Sequence, residues 1–127
     1  MPKSSTQNVE VDVTSFFVPE RSNPDKAYYF FAYKVRITNN GAAPAKLTDR
    51  HWIITDGAGR VHEVKGEGVV GEQPHLLTGQ SFEYTSYCPL PTPSGCMKGS
   101  YTMELDSGEK FEATIPLFVL MDPSQVN

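Results

Sequence analysis

The stretch Gly66-Glu67-Gly68-Val69-Val70-Gly71 matches the pattern G-x-G-x-x-G. In dinucleotide sites that pattern needs a strand, a tight glycine turn and a helix whose N-terminal amides hold a pyrophosphate. The helix has no place here. Val69 and Val70 are β-branched, Pro74 arrives three residues after Gly71, and no β-α alternation surrounds the motif, so no helix of useful length can begin there. The glycines read instead as positions that allow positive φ or close backbone approach where the chain crosses between sheets. A weak anion loop at Gly66, Gly68 and Gly71 stays open, because successive backbone amides can converge on a phosphate without a helix.

His51, His62 and His75 are weak candidates for a divalent metal, with Asp49, Asp56, Glu63, Glu67 and Glu72 nearby in the chain. Zinc and cobalt sites usually draw on close pairs such as H-x-H or H-x₃-H, whereas these histidines are eleven and thirteen residues apart with no cysteine between them. The spacing therefore argues against a metal site. Neither a nucleophile elbow nor a local Ser-His-Asp or Cys-His set is present, so no catalytic residue is assigned. Cys88 and Cys96 are too few for a disulfide framework; they are expected as thiols, and no cation near Cys88 in sequence would activate it.

These residues need a scaffold, and the punctuation of the chain says which kind. Ten glycines and ten prolines fall between short β-branched and aromatic runs in 127 residues, as expected of an all-β chain. Val9, Val11 and Val13 alternate with polar residues in a first strand running to about Val18. Tyr29, Phe31, Tyr33, Val35 and Ile37 share one face of the clearest strand, with Lys34, Arg36 and Thr38 on the other. Asn39-Asn40-Gly41 should end it in a turn using positive φ. A third run from Ala45 to Thr55 joins Val61–Val64 through Asp56-Gly57-Ala58-Gly59, a hairpin signal. Further strands are expected over Ser81–Tyr87, Met97–Leu105 and Phe111–Ile115, the last two joined by Asp106-Ser107-Gly108. Cys88 to Cys96, with Pro89, Pro91 and Pro93, reads as a stiff extended loop. Trp52, the lone tryptophan, is expected in the core. Seven or eight strands suit an immunoglobulin/fibronectin type III-like β-sandwich, with a small barrel as the alternative.

Several blocks carry a more specific likeness: Val35-Arg36-Ile37-Thr38-Asn39-Asn40-Gly41, Arg50-His51-Trp52-Ile53-Ile54-Thr55-Asp56-Gly57, and Gly66 through Pro74. Phe82 with Tyr84-Thr85-Ser86, Thr92-Pro93, Met97-Lys98-Gly99-Ser100-Tyr101 and Ile115-Pro116 with Phe118 continue it. In these blocks the sequence resembles the bacterial ApaG family. Tyr87 and Cys88 stand where the family pattern suggests smaller residues, and Thr78 where it suggests proline. The resemblance implies a fibronectin type III-like sandwich over residues 9–120, flanked by flexible tails at 1–8 and 121–127. It implies a protein-interaction module without enzymatic activity, associated with cobalt tolerance and magnesium efflux.

Composition narrows the partner classes. Fifteen acidic and eleven basic residues give a formal charge of −4, with Lys and Arg scattered singly, which disfavours nucleic acid and anionic lipid. No signal peptide or membrane-spanning stretch is evident, so a soluble cytoplasmic location is expected. The expected function is non-enzymatic protein binding, with no cofactor and an unidentified protein partner. Glu67, Glu72, Leu90 and Thr92, in the glycine-rich and proline-rich connections, are the expected contact residues, because loops on a rigid sandwich can vary without disturbing the core. If those fail, the strand face carrying Lys34, Arg36 and Ile53 is next. The competing class is a small-ligand or ion sensor acting through Gly66–Gly71 or the histidines.

Overall fold

The computed structural model describes residues 2–125. Two antiparallel sheets face each other. The first orders β1 (Lys3–Thr6), β2 (Val9–Phe17), β3 (Tyr29–Asn39) and β7 (Ser81–Leu90) side by side. The second orders β5 (Val61–Glu67), β4 (Ala45–Asp56), β8 (Ser94–Leu105) and β9 (Lys110–Met121), with the short β6 (His75–Leu76) pairing to the start of β4. This is the immunoglobulin/fibronectin type III-like β-sandwich that the strand pattern predicts.

Period-two alternation explains which residues meet inside. Val9, Val11 and Val13 oppose Asn39, Ile37 and Val35 across β2 and β3, and all six side chains are buried. From the other sheet, Trp52, Met97, Tyr101, Met103, Ile115 and Phe118 close the core. Trp52 is 3% exposed and meets Tyr33, Tyr101 and Phe118 edge-on or tilted, with ring centroids 5.3, 6.3 and 5.9 Å away. The expected core role of this tryptophan therefore stands, with the edge-to-face contacts aromatic rings prefer.

Three local expectations are corrected. Residues 3–6, assigned to a flexible tail, form β1, because Ser4, Ser5 and Thr6 pair with Val11, Glu10 and Val9, and the Thr114 amide donates to Thr6 Oγ1 at 3.1 Å. At the other end Met121 completes β9, Asp122 is buried, and Pro123–Gln125 form a 3₁₀ turn; Met1 and the last two residues of the expected tails lie outside the described residues. The proline-rich segment is mostly strand: Cys88, Pro89 and Leu90 pair with Phe31, Phe30 and Tyr29, leaving residues 91–93 to cross between the sheets. Pro89 fits because β7 is an edge strand, where a missing N–H need not interrupt the ladder. Finally, Asn39-Asn40-Gly41 turns without positive φ. Its hold is the buried Asn39 side chain, whose Nδ2 donates to the carbonyls of Ala43 and Leu76, both at 2.9 Å, while Oδ1 accepts from the Gly41 amide.

The β4–β5 hairpin is organised by a buried carboxylate. Asp56 Oδ1 accepts from the Ala58 and Arg60 amides and Oδ2 from Arg60 Nε at 2.9 Å. Burial pushes this carboxyl up, but the Arg60 side chain and the two amides outweigh it and hold it below the ordinary carboxylate range. A lowered native pKa stabilises above the unfolded value, about 3.9, and that stability is lost as pH falls through the native value. Asp56→Asn keeps the amide acceptor and removes the charge. Its melting temperature should therefore lie below the wild type at neutral pH, with the gap narrowing between about pH 4 and about pH 2. A constant gap across that range in calorimetry would contradict this role for Asp56.

Candidate functional site

The two flanks of the sandwich differ. On one, β1 and β2 lie against β9, with Ser15 Oγ donating to the Val119 carbonyl at 2.8 Å and Ser4 Oγ to that of Thr114. On the other, the edge strands β5 and β7 face each other without comparable links among the described residues, and a cleft of about 450 Å³ opens between them. That volume lies within the range of small-ligand sites.

Strand register assigns its walls. His62, Val64 and Gly66 on β5 share a face with Ile54, Trp52 and Arg50 on β4, and these in turn with Met97, Gly99 and Tyr101 on β8. From β7, Tyr84, Ser86, Cys88 and Leu90 point the same way as Val35, Tyr33, Phe31 and Tyr29 on β3. Trp52, Met97 and Tyr33 form the floor, and the exposed Val64 and Val70 form the lip on the β5 side; Tyr87 borders the opening from β7, but its side chain shares the outer face of the first sheet with Ala32 and Phe30. Tyr87 packs on Phe30 at 5.4 Å, and the Arg21 guanidinium lies over the Phe30 ring at 4.4 Å.

Burial pushes the cleft's hydroxyls and thiol toward their neutral forms. Tyr33 is raised by burial and by the nearby Cys88, partly offset by a Ser86 hydrogen bond and by the Arg50 charge. Tyr84 and Tyr101, whose hydroxyls pair with each other, are raised chiefly by burial as well. The Cys88 thiol is pushed up to about 11 by burial, so it is a poor nucleophile near neutrality. Cys96 lies in register with Thr55 and Val119, both on the second sheet, while Cys88 belongs to the first. Both are free thiols.

The glycine motif closes one end of the cleft as a tight turn. Val69 and Glu72 exchange both backbone hydrogen bonds, at 2.8 and 2.9 Å, around Val70 and Gly71, whose φ values are +44° and +81°. This two-residue turn requires positive φ at both central positions. Gly68 also has φ +62°, and its amide donates to the Thr48 carbonyl at 2.8 Å. The amides of Gly68, Val69 and Glu72 are thus engaged inside the protein, which leaves the anion-loop candidates Gly66, Gly68 and Gly71 little convergent donor capacity. Gly66 does something else: a Cβ there would fall 2.7 Å from Arg50 Nη2, so its bare backbone lets the guanidinium lie flat.

The histidines are dispersed. His51 Nε2 is 2.9 Å from Glu63 Oε2, with a hydrogen bond that holds the Glu63 carboxyl below its ordinary range, and His75 Nε2 is 3.0 Å from Asp106 Oδ1. His62 lines the cleft alone. Among the described residues no three His, Cys, Asp or Glu side chains gather as a metal ion would require. Of the expected contact residues, Glu67 ends β5 and Glu72 closes the turn, both exposed near the cleft. Leu90 is buried at the cleft wall. Thr92 Oγ1 accepts from the Gly57 amide and donates to the Ser94 carbonyl, each at 2.8 Å. Lys34 and Arg36 lie on the first sheet and Ile53 on the second, so they do not share a face.

The comparisons with known proteins agree with this fold. The ApaG domain model matches residues 19–105. The chain belongs to the ApaG family. Relatives named Protein ApaG include one from Methylobacterium sp. (strain 4-46), 56% identical over 97% of this chain and 95% of the relative. Another, from Anaeromyxobacter dehalogenans (strain 2CP-C), is 51% identical over the whole of both chains. The crystal structure of a Bordetella pertussis protein described as ApaA is 52% identical, superposes with a TM-score of 0.88 and covers 96% of each chain. None of these names indicates an enzymatic activity. Among the described residues, no helix of this ApaG chain is long and apolar enough to cross a membrane.

Sequence reasoning missed Arg50 and Val70. Arg50 did leave a signal, since it has the same parity as the inward-facing Trp52 and Ile54, and a charge on a core-facing position calls for an explanation.

Proposed function

We propose that this ApaG domain is a non-enzymatic protein-binding module that takes its partner across the cleft between β5 and β7. The observation that carries this reading is Val70. It is β-branched, held at φ +44° and 56% exposed at the cleft's lip, a combination that raises the folded state's energy without any packing return. Binding would supply the return, because an exposed valine at the same lip as Val64 extends the apolar floor outward for a partner to cover. On this reading the family's association with cobalt tolerance and magnesium efflux acts through a protein partner and not through bound metal, in keeping with the dispersed histidines.

Val70→Gly separates stability from function. Removing the αL strain should outweigh the added flexibility of glycine and raise stability by up to about 1 kcal/mol, or roughly 4 °C. Cross-linked capture of partners from cells should weaken in the same variant. Lower melting with unchanged capture would sink the proposal at this position.

A further inference from the structure

The cleft holds a guanidinium whose charge has no counter-ion. Arg50 Nη1 donates to the carbonyls of Glu67 and Gly68, at 2.9 and 3.0 Å, which pins one side of the group. Nε and Nη2 have no hydrogen-bond partner, and no carboxylate forms an ion pair with Arg50, among the described residues. A pinned guanidinium thus keeps a two-donor edge, the geometry that takes both oxygens of a carboxylate. Trp52 and Val64, the next inward positions on β4 and β5, and Val69 line the same cleft.

Resting on the reading of the cleft as the binding face, we infer that it captures the free C-terminus of an extended polypeptide. The terminal carboxylate sits on Arg50 Nε and Nη2, and the last side chain, an apolar one, lies on Trp52. The preceding backbone runs out between β5 and β7. Three features select this occupant. A terminal residue carries its carboxylate and an apolar side chain on one carbon, which matches a charged edge adjoining an apolar floor; an internal Asp or Glu does not. A phosphate would ask for more donors than one guanidinium edge, and of the nearby turn amides those of Gly68, Val69 and Glu72 are engaged with Thr48, Glu72 and Val69. The outer edges of β5 and β7 are unpaired, so an extended main chain finds backbone partners there, as in other strand-addition and carboxylate-capture sites.

The test uses short acetylated peptides ending in leucine or phenylalanine, each as free acid and as C-terminal amide. They are titrated into the full chain with Trp52, the lone tryptophan, as fluorescence and NMR reporter. The free acids should bind at least about tenfold tighter than their amides, the scale of a charge-assisted hydrogen-bond pair. Arg50→Gln should abolish that preference. Because Arg50 also anchors the turn, a second variant leaves it intact: Val64→Glu, on the exposed edge strand, offers Arg50 an internal carboxylate. It should fold with an unchanged melting temperature and likewise lose the acid preference. Acids and amides binding equally to the wild type, or inorganic phosphate displacing the Trp52 signal better than the peptides, would overturn the inference. So would an acid preference that survives in a folded Arg50→Gln. If no peptide binds while photo-cross-linkers at Val70 and Val64 still trap a protein, the C-terminal chemistry is wrong and the binding face stands. If both fail, the cleft reading falls with it.

Discussion

Alanine at Gly99 should destabilise the domain more than any other single methyl addition in β8. A Cβ there would lie 1.9 Å from the His51 carbonyl oxygen and 3.2 Å from the Trp52 Cα, far inside van der Waals contact with backbone that cannot rotate away. The clash falls between β4 and β8 in the middle of a sheet, beside a register shift between Met97 and Gly99 in the pairing with β9. Relief would have to separate two strands beneath Trp52. Overpacking ordinarily costs 1–3 kcal/mol, so a loss of about 3 kcal/mol or more is expected, lowering the melting temperature by upward of about 10 °C. Calorimetry of Gly99→Ala reads this directly, and melting within a degree or two of wild type would show that β4 and β8 do not approach so closely.

The second large effect is expected at Gly68, and its neighbour supplies the control. An alanine at Gly68 meets two penalties, a φ of +62° and a Cβ placed 2.2 Å from the Glu72 carbonyl oxygen. That carbonyl accepts the Val69 amide, so moving it opens the turn at the end of the cleft. The expected loss is about 2–3 kcal/mol. Gly71 also has positive φ, but nothing lies within 4 Å of its added Cβ, so Gly71→Ala should cost only the backbone term, about 1 kcal/mol. Chemical denaturation of both variants checks the order. Equal losses would mean the Gly68–Glu72 contact is not what fixes the turn.

How far the fold could be read in advance depended on whether its cause was local. The alternation of Tyr29 to Ile37 marked β3 because one face of it is core while Lys34 and Arg36 on the other are exposed, although Phe30 and Ala32 on that face are buried, and the Asp56 and Gly108 turns announced their hairpins through residue type. β1 was missed because Lys-Ser-Ser-Thr has no apolar period; its stabilisation comes from pairing with β2 and from Thr6 and Ser4 reaching β9. The strand character of Cys88–Leu90 was hidden by the prolines, whose effect depends on β7 being an edge, a property of the whole sheet. Glycine-motif residues were rightly expected at positive φ, yet the part Gly66 plays in seating Arg50 depends on the β4–β5 register.

The site was less readable than the fold, for the same reason. Val70, in the turn after β5, and Tyr87, on β7, are seventeen residues apart in the chain, and only the facing of β5 and β7 brings both to the rim of one cleft. Glu67 and Glu72 were chosen for exposure in a loop, and they do border this end of the molecule. Thr92 and Leu90 were chosen on the same ground, but the structure gives the first a turn to hold and the second a wall to fill. Exposure in a connection thus pointed to the region, while the particular residues needed the register.

Site-specific photo-cross-linking tests the central claim most directly. A photoreactive side chain is placed singly at Val70, at Val64 and, as control, at Lys34 on the outer face of the first sheet, and each protein is irradiated in its own cells. Val70 and Val64 should trap the same protein, with Lys34 trapping none. Adducts from Lys34 with none from the two lip positions would contradict the cleft as the binding face.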